Sequence, residues 1–256
     1  MDLGINGKVA MVGSASRGLG FATALQLAAE GVRVAVCGRT AKTLDSAVSS
    51  LRDVAARPDD VMAVQIDLST SSGPQRFVEA VESTLGHVDI VVPNAGGPPN
   101  ASAIDVGDNE QLWKNAFDAN YWSTLRLVNA VVPGMLERGF GRIVIIGSTV
   151  VKEPVEGIVL STVTRTAIWA WAKTLSREVA SGGVTVNMAM PGLHATDRIR
   201  ERLDESALAL RLADIPAHRL GTPAEFASLI AYLCSKGAQF ITGQAIAADG
   251  GALRGL

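Results

Sequence analysis

The chain has 256 residues, 48% hydrophobic and 19% charged, a balance that excludes global disorder and fits one α/β domain. A formal charge of −2 gives no basic field to collect nucleic acid or an anionic membrane. Aromatics are only 5% beside 26 glycines, a composition suited to helices packed closely on a parallel sheet.

Apolar runs and helical periodicities alternate along the chain. Residues 9–12 form a short apolar run ending in Gly13, and 18–30 are helical in composition and stop at Gly31. A second strand is predicted over 32–37, a helix over 41–56 before Pro58, and a third strand over 61–66. Over 75–85, Phe77, Val78, Val81 and Leu85 follow helical spacing, and 88–92 reads as a fourth strand running into the turn-rich 93–99. One long helix is predicted over 109–138 and a fifth strand over 142–146. A helix over 164–179 puts Ile168, Trp171, Ala172, Leu175 and Val179 on one face, and a sixth strand over 184–190 ends at Pro191-Gly192. Thr222-Pro223-Ala224-Glu225 is a capping box with proline at the first helical position, opening a helix to Leu233, and 245–248 is a last short strand.

Such alternation predicts right-handed βαβ crossovers, a parallel sheet covered on both faces, and a single domain over 1–256. Residues 194–216 are the exception, charge-rich with Arg198, Arg200, Glu201, Arg202, Asp204 and Glu205, and read as a surface excursion that forms a helical lid. Its arginines suit an anionic substrate such as an acyl thioester, while the interleaved acids suit a solvated helix. Cys37 and Cys234 are too few for a zinc site, and Cys37, in a β-branched run, reads as a small buried hydrophobe in a reducing compartment. Residues 1–7 carry Asp2 and no apolar segment, so no signal peptide is expected, and no run approaches the roughly 18 apolar residues of a membrane span. A cytoplasmic location is expected.

After the first strand comes Gly13-Ser14-Ala15-Ser16-Arg17-Gly18-Leu19-Gly20, leading into a helix. Glycines let backbone approach a pyrophosphate, and a helix N-terminus offers free N–H groups and a positive dipole end. A Walker loop has the same first glycine spacing but needs Lys-Ser/Thr where Leu19-Gly20 stands. The bland alternative is a tight β-to-α connection. The second strand ends Cys37-Gly38-Arg39 with no acid to bond a ribose 2′-hydroxyl, whereas the guanidinium forks of Arg17 and Arg39 suit a 2′-phosphate. NADP(H) is therefore expected over NAD(H), the alternative being two solvated surface charges.

With these residues in view, the chain resembles the short-chain dehydrogenase/reductases over essentially its full length, and among them the β-ketoacyl carrier-protein reductases. The family's T-G-x-x-x-G-x-G turn matches 13–20, and its adenine-contacting Asp matches Asp67, followed by Leu68. Its N-N-A-G turn matches Asn94-Ala95-Gly96 with Pro93 for the first Asn, and its P-G-x-x-x-T segment matches Pro191, Gly192 and Thr196. Ile241-Thr242-Gly243-Gln244 and Asp249-Gly250-Gly251 resemble the C-terminal signature. The resemblance implies a doubly wound Rossmann-type domain with a seven-stranded parallel sheet of order 3-2-1-4-5-6-7. It also implies oxidoreductase activity on a small carbonyl or alcohol, and a homotetramer or dimer joined through helices around 109–138 and 164–179. Trp169 and Trp171 suit that interface or an intramolecular core.

The departures sit in the catalytic tetrad. Asn120 and Ser148 match the family's Asn and Ser, but counting 13 residues from Ser148 reaches Ser161 where the family has Tyr, and four further on Arg165 where it has Lys. In the turn, Ser14 stands where the family has its first Gly, so a Cβ enters the phosphate loop. In the family a phenol of unperturbed pKa about 10, lowered by the neighbouring Lys, gives the proton. A serine alcohol is far weaker, and an arginine is not a proton relay. A positioned general acid is worth about 10²–10⁴-fold, so ordinary ketone reduction should be slow. Arg165 can still bind the nicotinamide ribose or stabilise a negative oxygen, and Ser148 and Ser161 can both donate to it.

The chain has two tyrosines, Tyr121 and Tyr232, neither in register to replace the phenol. His194 would hang over the nicotinamide face as a replacement acid, or stand as a solvated loop residue. Glu153 and Glu156 could line the substrate mouth or be surface charges. The leading expectation is an NADP(H)-dependent oxidoreductase with a non-standard proton route. The alternatives are a non-redox activity such as dehydration or cyclisation, and a non-catalytic nucleotide-binding module. No G-x-S-x-G elbow surrounds Ser148, which leaves a serine hydrolase little support.

Overall fold

The computed structural model describes residues 2–202 and 204–255, and of Arg200 and Arg202 the backbone alone. Seven strands, β1 (Val9–Val12), β2 (Arg33–Gly38), β3 (Val61–Gln65), β4 (Ile90–Val92), β5 (Gly141–Ile146), β6 (Val184–Pro191) and β7 (Ala245–Ala248), form one sheet in the order β3-β2-β1-β4-β5-β6-β7. Every neighbouring pair is parallel. The first, fourth and fifth strands are buried throughout, and the second and sixth at all but one residue, because a parallel sheet is covered on both faces and its strands read as plain apolar runs.

On one face pack α3 (Gly73–Leu85), α6 (Ser123–Arg138) and α7 (Val159–Val179), through Phe77, Val81, Leu127, Met135 and Ile168. On the other pack α1 (Gly18–Ala29), α2 (Ala41–Val54) and α10 (Pro223–Cys234), through Leu27, Leu44, Leu51, Phe226 and Ile230. Phe77 and Phe226 are the bulkiest fully buried side chains, one on each face. Truncating either to alanine costs about 3–5 kcal/mol. The strand order reverses between β1 and β4, and the crevice outside the carboxyl ends of the strands at that point is where such sheets take ligands.

Two helices depart from the sequence expectation where the site is built. The helix expected over 109–138 is three segments: α5 (Glu110–Ala116), a π-helical stretch Phe117–Trp122, and α6. Asn109 caps it, accepting from the Leu112 N–H at 3.1 Å. A wider turn loosens the backbone ladder, and the Ser123 hydroxyl catches two of its carbonyls, at 2.7 Å on Ala119 and 3.1 Å on Asn120. The helix expected from 164 starts at Val159. Its first turn is pinned by tertiary contacts that the β-branched sequence does not announce. The Val159 N–H donates to the Ala101 carbonyl at 3.2 Å, and Leu160 is buried with Val106 and Ala116. Two short helices, α8 (Asp197–Arg202) and α9 (Glu205–Ala213), occupy the excursion expected over 194–216, while α4 (Ala103–Val106) was not anticipated. Among the described residues no helix is long and apolar enough to cross a membrane.

Candidate functional site

The turn after β1 is held from both sides. The Gly13 N–H donates to the Val92 carbonyl at 3.0 Å and the Ala15 N–H to the Cys37 carbonyl at 3.0 Å. Asn94 is the strut, its Nδ2 donating to the Ser14 carbonyl at 3.1 Å. A Cβ on Gly20 would stand 2.6 Å from that same Nδ2, and one on Gly13 would stand 3.0 Å from the Asn94 carbonyl oxygen. The turn therefore needs both glycines to close on Asn94. Ser14 takes a left-handed φ of 45°, the conformation for which the resemblance implied glycine. Arg17, the residue before α1, caps it with no side chain, so the free N–H groups of the first turn stay available to an anion. Gly18 faces Thr196, whose Cγ2 lies at van der Waals distance, 3.9 Å, from where its Cβ would be. This brings the segment after β6 over the turn after β1. Leu19 is half-buried behind it.

At the ends of β2 and β3 stand Ser16, Arg39, Asp67 and Leu68. Ser16 Oγ lies 3.5 Å from the position of a Gly38 Cβ, and the exposed Arg39 is fixed through its carbonyl, which accepts from Gln65 Nε2 at 3.0 Å. Asp67 Oδ1 accepts from the Ser69 N–H at 2.9 Å and the Ser69 hydroxyl at 2.7 Å. Burial works to raise its carboxyl, and the Ser69 bonds with the charge of Arg39 outweigh it, so Asp67 stays below the usual carboxylate range. Leu68 is buried against Gly13, while Ala95 and Gly96 line the turn after β4. Gly192, after Pro191, packs directly on Asp249, whose Cα lies 2.7 Å from the position its Cβ would take.

The four tetrad positions come from three elements. Ser148 follows β5, half-buried, with its Oγ accepting from the Val150 N–H at 3.4 Å. Ser161 and Arg165 lie one turn apart at the start of α7. Arg165 Nε donates to Ser161 Oγ at 3.2 Å, and its Nη1 donates to the Ile146 and Gly147 carbonyls at 3.1 and 3.2 Å. The guanidinium thereby ties α7 to the end of β5 beside Ser148. Among the described residues no carboxylate lies within ion-pair distance of it, and its Nη2 makes no hydrogen bond. Burial, then the charge of Arg198, bring it down to about 10, which leaves it charged at neutral pH. Asn120 is fully buried in the π-helical stretch, its Nδ2 donating to the Ala116 carbonyl at 3.2 Å and its Oδ1 unpartnered.

The other proton-bearing side chains are engaged elsewhere. Tyr121 packs edge-on against the Phe117 and Trp122 rings at 5.7 and 5.1 Å, and Tyr232 stands half exposed on α10. His194 is neither solvated nor free to swing over a ligand. It is buried edge-on against Phe226 at 5.3 Å, with Nδ1 3.2 Å from the Gly192 carbonyl, and burial holds its pKa below the ordinary histidine value. Glu153 Oε1 accepts from the Arg254 and Gly255 N–H groups at 2.6 and 2.8 Å, and Glu156 is exposed. Cys37 and Cys234 are buried thiols pushed up to about 12. Among the described residues no group of His, Cys, Asp or Glu is placed to hold a metal.

One residue at this mouth escaped the sequence reading. Gly97 follows Gly96 in the turn after β4, and the Arg198 guanidinium from α8 lies against it. Only the Gly-Gly doublet hinted at a close approach there.

A family model described as Enoyl-(Acyl carrier protein) reductase matches residues 13–252. The chain is 33% identical over 254 residues to Dehydrogenase/reductase SDR family member 4 of Bos taurus, covering 98% of this chain and 89% of that protein. It is 34% identical over 249 residues to the 3-oxoacyl-(acyl-carrier-protein) reductase FabG of Vibrio cholerae, covering 97% and 98%. Among solved structures it is similar to an L-sorbose reductase from Gluconobacter frateurii complexed with NADPH and L-sorbose, with TM-score 0.91, 31% identity and 100% of both chains covered. It is also similar to an actinorhodin polyketide ketoreductase with NADPH, with TM-score 0.88, 32% identity and 96% and 97% covered.

Proposed function

The chain belongs to the short-chain dehydrogenase/reductase family of oxidoreductases, and from that premise we propose that it is an NADP(H)-dependent enzyme acting between a carbonyl and an alcohol, with a tetrad that polarises its substrate without protonating it. The observation that carries this reading is the 3.2 Å bond from Arg165 Nε to Ser161 Oγ. Because that oxygen accepts from a cation, the serine O–H is left free, and strengthened, to donate to a substrate oxygen. Ser148, which also only accepts within the protein, offers a second O–H, and the N-terminal dipole of α7 adds its positive end. Together they stabilise negative charge that develops on the oxygen. None of them is an acid near working pH, so the proton comes from solvent.

The residues present fit the cofactor. The uncapped N-terminus of α1 and the left-handed Gly18 suit its pyrophosphate, with Gly13, Ser14, Leu19 and Gly20 shaping the turn. Asp67 and Leu68 would hold the adenine, and Ser16, Arg17 and Arg39 would recognise a 2′-phosphate. Asn94, Ala95, Gly96, Pro191, Gly192, Thr196 and Arg165 line the nicotinamide end. Bound there, NADPH supplies or NADP⁺ accepts hydride. We assign α8 and α9 the role of a lid over a small-molecule substrate, an acyl thioester being one case. Self-association as a dimer or tetramer is assigned to the helices around 109–138 and 164–179, where Trp122 and Leu136 are exposed while Trp169 and Trp171 pack partly into the protein's own core.

Titration of NADPH and NADH by cofactor fluorescence tests the reading. NADPH should bind in preference to NADH. Absence of binding by both would hand the site to the alternatives, a non-redox activity or a partner-binding module.

A further inference from the structure

The two ends of the excursion that carries α8 and α9 meet in a clasp. The Ala195 N–H donates to the Gly221 carbonyl at 2.8 Å and the Gly221 N–H to the Leu193 carbonyl at 3.0 Å, so His194 and Gly221 pair in parallel and the excursion leaves and returns at one point. One residue further on, the Thr196 N–H donates to the His194 carbonyl at 2.7 Å, and Thr196 Cγ2 is the atom that meets Gly18 in the turn after β1. The clasp therefore sets where Thr196 stands over that turn.

The His194 ring is the bolt of this clasp. A Cβ on Gly221 would stand 2.7 Å from both its Cδ2 and its Nε2, so the ring lies on bare backbone there, while Phe226 meets it edge-on at 5.3 Å. Nδ1 is 3.2 Å from the Gly192 carbonyl, which can only accept, so Nδ1 carries the proton of the neutral ring. Nε2 meets no hydrogen-bond partner among the described residues. A second proton there would put a charge and an unanswered N–H into a buried place. The charged groups nearby are committed elsewhere. Glu225, at the start of α10, favours the cation by its charge, but its oxygens accept from Arg219 Nη1 and Nη2 at 2.9 and 2.7 Å and from the Thr222 N–H at 2.7 Å. Asp249, on which Gly192 packs, accepts from the Gly251 and Leu253 N–H groups at 3.0 and 2.8 Å, and Asp197 is exposed at the head of α8.

We propose that His194 is a positioning residue for the cofactor whose neutral ring holds the clasp shut, and that a proton on Nε2 opens the clasp, frees α8 and α9 and withdraws Thr196 from the turn after β1. This rests on the reading of Thr196 as a cofactor residue and of α8 and α9 as a lid. Opening of the clasp is measurable apart from both.

The test uses the whole protein, first without ligand. Hydrogen exchange at the Ala195 and Gly221 N–H groups, corrected for the pH dependence of the chemical step, reads how often the clasp opens, and exchange in β1 reads global unfolding in the same sample. In wild type, opening should be level above about pH 6.5 and rise by up to about tenfold per pH unit below it. His194→Leu, which fills the space with a side chain that cannot titrate, should open equally at every pH. A wild-type profile as flat as that of His194→Leu would overturn the proposal, and so would clasp amides that exchange no faster than those of β1. Gly221→Ala, whose methyl group displaces the ring without removing it, should raise clasp opening at pH 7.5 and weaken NADP⁺ about tenfold in calorimetric titration at that pH. Easier opening with NADP⁺ affinity unchanged would take His194 out of cofactor positioning. Failure of wild type to bind NADP⁺ would strike the cofactor reading and the positioning role with it, while the pH profile of exchange would still decide whether a proton opens the clasp.

Discussion

The sharpest consequence of the tetrad concerns Ser161→Tyr combined with Arg165→Lys. On the proposed reading the charge and the hydrogen-bond donors for a developing oxyanion are present, and what is missing is an acid within reach of working pH. A positioned general acid contributes about 10²–10⁴-fold, about 2.7–5.4 kcal/mol of barrier, so the double variant should raise kcat on ethyl acetoacetate by that range. The singles should not add. Ser161→Tyr places a phenol beside a cation that Arg165 still supplies, which lowers its pKa and recovers part of the gain. Arg165→Lys alone has no phenol to tune. It also removes Nη1 from the Ile146 and Gly147 carbonyls, at about 1–3 kcal/mol of stability. Stopped-flow single turnovers with saturating NADPH, beside a thermal melt of each variant, separate chemistry from folding. If wild type already reduces the ester at the rate of the double variant, or if the double variant folds, binds NADPH and gains nothing, the site has a proton source not identified above and the reasoning fails.

Three further outcomes follow from particular side chains. Arg39→Ala should narrow the preference for NADPH over NADH by about tenfold in the fluorescence titration, and an unchanged ratio would remove Arg39 from cofactor selection. His194 is held below its ordinary value by burial, so as pH falls through about 6.5 the unfolded chain takes up a proton that the folded chain refuses. Stability is therefore complete above that pH and declines below it, by up to about 1.4 kcal/mol per pH unit, and urea unfolding of His194→Gln should show that slope reduced between about pH 5 and 6.5. A slope equal to wild type would place the titrating group elsewhere. Ser14→Gly should relieve the left-handed φ of 45° and raise the melting temperature by about 2–4 °C. A fall would mean that the Ser14 side chain contributes more than its backbone costs.

Much of the fold is readable in the chain because a parallel sheet buries both faces of its strands. The stretch Val9–Val12 or Ile90–Val92 needs no alternation to be seen, only a run of small and branched apolar residues ending at Gly13 or Pro93. The pairing of Ser161 with Arg165 is readable for a different reason. Ser161 and Arg165 lie at fixed counts from Ser148, and those counts survive folding because α7 carries both residues one turn apart. The π-helical stretch around Asn120 is invisible to hydrophobic periodicity, since one extra backbone position shifts the phase without changing residue types. The start of α7 is hidden by Val159, Thr162 and Val163, whose weak local preference yields to Leu160 burying itself on Val106 and Ala116.

What no local signal could show is the set of contacts made across long stretches of chain. Arg198 on Gly97, His194 under Phe226 and Glu153 on the Arg254 and Gly255 N–H groups are each set by tertiary packing. Each also changes what the residue can do. The same packing buries His194 on Phe226 and engages Glu153 with backbone N–H groups, while Arg165 stands bonded to Ser161 at the end of β5. On the proposed reading such a site stabilises negative charge on the reacting oxygen and leaves the proton to solvent. On that reading Ser161 and Arg165 work as a pair, the cation strengthening the hydroxyl as a donor.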